Sequence, residues 1–171
     1  MKKLGLLLFT AVSLASASTG AFAAPDKSRQ ETVAERGPDV MPFDLKASTH
    51  IFTKTKSGGI QQVVAKNGRD AAQIRLIRTH LQEIAAQFSK GDFSGPTHIH
   101  GADMPGLAQL MKAKPSEIKV QYQEMKDGAK IVYTTNQPRL VNALHQWFDA
   151  QVSDHGHDAR EGHDHSMMHT Q

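Results

Sequence analysis

The chain has 171 residues, no cysteine, and 20 Lys+Arg against 17 Asp+Glu, for a formal net charge of +3. That length fits one domain, and the missing cysteine excludes disulfides, thiolate metal sites and a cysteine nucleophile. Without Lys2 and Lys3 the balance is 18 basic to 17 acidic residues, which makes no case for a nucleic-acid partner.

Lys2 and Lys3 precede the apolar run Leu4–Leu14, and Ala21-Phe22-Ala23 has the small-x-small pattern of a signal-peptidase site. The expectation is a signal peptide over 1–23, cleavage after Ala23 and export to the periplasm. The run is far shorter than the roughly 20 residues that span a bilayer, so no stable membrane insertion is expected after cleavage. Residues 24–42 are polar and interrupted by Pro25, Pro38 and Pro42, which predicts a flexible leader with one helical turn at Glu31–Arg36. Asp26 would hold mature position three, so an amino-terminal copper or nickel motif, which needs histidine there, is absent.

From Phe43 the pattern becomes strand-like through Lys56, turns at Ser57-Gly58-Gly59, and returns over Ile60–Lys66. Asn67-Gly68-Arg69-Asp70 is a turn whose Asp70 can cap a helix over 71–89, with Ile74, Ile77, Leu81, Ile84, Ala85 and Phe88 on its apolar face. A loop follows from Gly91 to Gly101, then a short helix from Met104 to Lys112 that Pro115 terminates. Ile118–Met125 and Ala129–Thr135 flank Lys126-Asp127-Gly128 as a second hairpin. A last helix covers 138–152, with Leu140, Val141, Leu144, Phe148 and Val152 on one face.

These elements predict a single α+β domain over 43–153: a four-stranded, mainly antiparallel sheet from two hairpins, with helices on one face. The two halves share the order hairpin, turn, helix, which suggests a ββα duplication in which mid-helix His80 and His145 correspond.

Three groups of residues could carry chemistry. The loop places His98, His100 and Met104 close together in sequence; His₂Met suits copper, and Asp103 in place of the methionine would suit zinc. The alternative is that these histidines bond loop carbonyls. His80 and His145 lie on apolar helical faces, where core histidines with satisfied hydrogen bonds compete with a bis-histidine metal or haem site. The absence of Cys-x-x-Cys-His excludes covalent haem. Residues 154–171 have no apolar run and are expected to be disordered. They offer His155, His157, His163, His165, Met167, Met168 and His169 as exchangeable metal ligands.

No Gly-x-Ser-x-Gly elbow, phosphate loop or His-Glu-x-x-His is present, and no enzymatic activity is expected. The leading expectation is a periplasmic metal-binding protein, copper first, with zinc the alternative cofactor and nickel and silver compatible. A non-enzymatic envelope adaptor that binds a periplasmic protein partner through its sheet, with an incidental tail, is the competing class.

Met41-Pro-Phe-Asp-Leu45, His50-Ile-Phe-Thr-Lys-Thr55, Gly91-Asp-Phe-Ser-Gly-Pro96, His100-Gly-Ala-Asp-Met-Pro-Gly-Leu107 and Trp147-Phe-Asp-Ala-Gln-Val-Ser-Asp-His-Gly156 together resemble a family of small exported bacterial proteins. Genomes often label that family "aspartate carbamoyltransferase". The resemblance spans about residues 41–156 and implies export and an intact fold. A transcarbamoylase carries a Ser-Thr-Arg-Thr phosphate loop and a His-Pro-x-Gln segment across two α/β domains. This chain has neither motif and is too short, so that activity is not expected and no catalytic residue carries over.

Overall fold

The computed structural model describes residues 27–163. The signal peptide and cleavage site predicted over 1–23, and the candidate ligands His165, Met167, Met168 and His169, lie outside the described residues.

Two hairpins form as their turns predict. Strand β1 (Ser48–Thr55) pairs with β2 (Gly58–Ala65) across Lys56-Ser57, and β3 (Lys119–Met125) pairs with β4 (Gly128–Thr134) across Lys126-Asp127. The hairpins join through β2 and β4, which run antiparallel in the register Gly58↔Thr134 to Val64↔Gly128. This register is symmetric, because each central strand's first residue lies at or beside the other's last, so the hairpins are related by a pseudo-twofold axis between them.

Alternation sets the inner face. Ser48, His50 and Phe52, then Gln61, Val63 and Ala65, then Ala129, Ile131 and Tyr133 are buried, while the residues between them are mostly only partly so. Two 18-residue helices cover the sheet. Helix α2 (Ala71–Phe88) lies against β2, β3 and β4, and α5 (Pro138–His155) against β1 and β2. Asp70 caps α2, its carboxylate accepting the Gln73 N–H at 3.0 Å.

Four expectations are corrected. The sheet has five strands, in the order β3-β4-β2-β1-β5, because β5 (Ala159–Glu161) adds parallel to β1 with His50 opposite Ala159. It is therefore mixed. A three-residue Ala-Arg-Glu strand has no periodicity to read, and pairing with β1 creates it. The leader is not loose, since α1 (Lys27–Val40) packs on α5 and on α3 (Ser94–His100). Only Val33 and Gly37 of α1 are buried, so its sequence carries almost no amphipathic signal and its stability comes from tertiary contact. The Gly91–Gly101 loop contains α3, and the helix after it is only α4 (Leu107–Met111). Finally, 154–161 are ordered: α5 runs to His155, and a 3-10 turn (Gly156–Asp158) leads into β5.

Candidate functional site

The histidine on β1, those at the ends of α3 and α5, and one in mid-α2 share a cavity of about 40 Å³. His50 faces inward because it alternates in step with Ser48 and Phe52. His80 follows Ile77 onto the buried face of α2. His100 closes α3 and is buried, and His155 closes α5 and is partly buried. Val40 and Met41, at the end of α1, cover the same cavity.

The rings are close. His155 lies 4.9 Å from His50 between centroids and nearly parallel to it, and 5.1 Å from His100 at 77°. Phe43 packs near both His80 and His50, with ring centroids 5.6 and 5.9 Å away. Burial lowers the pKa of His50 to about 4, helped by neighbouring His80 and opposed by a hydrogen bond to the Asp158 backbone. Burial likewise lowers His80 to about 4. His155 is pushed well below its ordinary value by burial and by its neighbours His50 and His100. Burial therefore disfavours the charged form of His50, His80 and His155.

One charged group anchors it. Asp154 Oδ2 lies 2.9 Å from His100 Nδ1, and Arg29 Nε donates to Asp154 Oδ1 at 2.6 Å. A second Arg29 nitrogen donates to the His100 carbonyl at 3.0 Å, so one guanidinium ties α1 to both α3 and α5. Burial alone would raise the Asp154 pKa, but the hydrogen bonds from His100 and Arg29 and their charges outweigh it and lower it. An ionised carboxylate only accepts, so His100 Nδ1 carries a proton and donates it to Asp154.

Two polar atoms at the cavity are unserved. His50 Nδ1 and Trp147 Nε1 are both buried without a hydrogen-bond partner, a condition that costs about 1–3 kcal/mol each.

Size narrows the chemistry. A water needs roughly 10–15 Å³ of such volume and a drug-sized ligand pocket runs about 300–1,000 Å³. A cavity of about 40 Å³ holds an ion with a water or two, and no organic substrate.

The candidates read from sequence separate. His98 points outward, is 56% exposed, and meets Asp39 at 3.1 Å. His100 points inward, and Met104 is buried in the core away from the cavity lining. The helical turn of α3 that replaces the loop is what divides His98 from His100. His80 and His145 do not form a pair either. His145 Nε2 donates to the carbonyls of Thr55 and Gly58, both at 3.0 Å, and so staples the β1–β2 turn to α5. Counted from the first residue of each long helix, His80 corresponds to Trp147 rather than His145. His157 and His163 are exposed. Among the described residues no three His, Cys, Asp or Glu side chains stand arranged to hold a metal ion without rearrangement.

Sequence reasoning passed over His50, although strand alternation places it on the face of Phe52. It also assigned His155 to a disordered tail, because Gly156 and the polar run after it mask the end of α5. No protein-family model, curated protein or solved structure matches the chain.

Proposed function

We propose that this chain is an exported transition-metal-binding protein, with copper the first candidate ion and zinc the second. The observation that carries this reading is the cavity: four of the ten histidines line a space of ion size. Uncharged imidazole donors suit copper and zinc, and the His/Met composition of residues 155–169 offers further, exchangeable ligands to the same ions.

The test is titration of the mature chain with Cu(I), Cu(II) and Zn(II). The comparison is a full-length variant in which His163, His165, Met167, Met168 and His169 are all replaced by alanine. Several equivalents are expected for the natural chain and one tight equivalent for the variant. Negligible binding by both would sink the reading. Ending the chain at Ser153 would not serve, because it removes Asp154, His155 and β5 with the tail.

A second reading, an envelope adaptor, is favoured by the sheet's outer face, where Ile60 stands opposite Val132 and Ile51 and Val64 are also partly exposed. Chemical crosslinking in periplasmic extract would favour it if Val132→Asp abolished a specific adduct while stability held. An adduct pattern unchanged by Val132→Asp would count against it.

A further inference from the structure

We propose that a single d¹⁰ cation, Cu(I) or Zn(II), is ligated inside the domain by His50, His100 and His155, with Asp154 and Arg29 as positioning residues. This rests on the metal-binding reading above and assigns its specific site to the fold rather than to the tail.

Ring spacing is the first argument. An imidazole nitrogen about 2.0–2.1 Å from zinc puts the ring centroid roughly 3.2 Å from the ion, so two imidazoles at a tetrahedral angle have centroids about 5.2 Å apart. His155 lies 4.9 Å from His50 and 5.1 Å from His100. Two of the three ring pairs thus have the spacing of ligands to one ion, with His155 the ring common to both.

The second argument is the state of the donors. Asp154 engages His100 through Nδ1, which leaves Nε2 on the far side of the ring and matches the carboxylate–histidine arrangement that orients metal-bound imidazoles. His50 is 3% exposed and its Nδ1 has no hydrogen-bond partner, so a buried polar atom waits unserved beside the cavity. Three imidazole nitrogens would give Cu(I) a trigonal site, or give Zn(II) three ligands with the cavity holding a fourth, a water.

Closing the site requires rotation, because the His50 and His155 planes lie only 5° apart and their lone pairs do not yet meet. We assign that rotation to His155, which is partly exposed and ends its helix. His80 is left out of the ligand set, since the ring it packs against is Phe43 rather than another histidine.

The experiment uses the full-length chain carrying the five alanine substitutions in the tail, titrated with Zn(II) and, under reduction, Cu(I) against a chromophoric chelator. His50→Gln, His100→Gln and His155→Gln should each weaken the one tight equivalent at least 100-fold, while the exposed His98→Ala leaves it unchanged. Asp154→Asn should keep the stoichiometry, weaken affinity about 10–100-fold and move the pH midpoint of binding, as expected for loss of an orienting partner. If a variant fails to fold by circular dichroism, X-ray absorption at the metal edge of the tail-substituted protein decides, with three imidazole shells expected and one or none overturning the proposal. A tight equivalent unaffected by all three substitutions would also overturn it while leaving metal binding intact. No binding by the natural chain would sink both.

Discussion

Burying uncharged histidines makes stability depend on pH, with a definite sign. His50 and His80 titrate near 4 when folded, against an ordinary value of 6.5. Between those values the unfolded chain binds more protons, so stability is fully present above about pH 6.5 and declines as pH falls toward 4. A shift of this size corresponds to at most about 3 kcal/mol per histidine. Urea midpoints should therefore drop steadily from pH 7 to 4.5, and His80→Leu should make the decline shallower by up to one proton. Parallel profiles for the two proteins would contradict this account. Metal affinity should fall over the same acidic range, since protons compete for the same nitrogens.

At the level of elements, two close approaches hold the architecture together. Gly106 enters α4 at φ +78, and a Cβ there would collide with the Ala143 carbonyl and the Trp147 amide on α5. Gly106→Ala should cost more than about 2 kcal/mol, since it combines backbone strain with a backbone clash. Gly68 has a negative φ, and a Cβ there would make only an ordinary contact with Asp127 at 3.8 Å, so Gly68→Ala should be nearly neutral. Thermal melting distinguishes them, at roughly 2–4 °C per kcal/mol for a domain of this size. His145→Ala removes the donor to the Thr55 and Gly58 carbonyls and should cost about 1–2 kcal/mol. Its signature is faster amide exchange at the β1–β2 turn with metal stoichiometry unchanged. The elements legible in advance are those whose signal is local: Asp70 announces α2 and Asp127-Gly128 announces the second hairpin. Helix α1 was legible only as the turn at Glu31–Arg36 and strand β5 not at all, because each is stabilised by a partner distant in sequence.

Across the whole molecule, the two hairpins and the long helices meet in one aromatic cluster. Trp147 on α5 touches Phe88 of α2, Phe93 at the start of α3, Tyr133 of β4 and its neighbour Phe148, with centroids 5.7–6.0 Å away. It is 1% exposed and is the chain's single tryptophan. Trp147→Ala should cost about 3–5 kcal/mol, with the loss read as a lower guanidinium midpoint by circular dichroism. In the first half the same helical place holds His80, so the pseudo-symmetry sets an aromatic anchor against a cavity-lining histidine.

By itself the sequence determined what short-range rules control: both hairpins, the long helices with their buried faces, and a histidine-rich, cysteine-free ligand inventory. Tertiary structure alone decided which histidines meet. His98 and His100, two residues apart, diverge because a helical turn separates their directions. His50 and His155, at opposite ends of the domain, stack because α5 crosses β1 and the chain returns as β5 beside it. Local propensity acts over a few residues, whereas this site is assembled by the crossing of β1, α3 and α5.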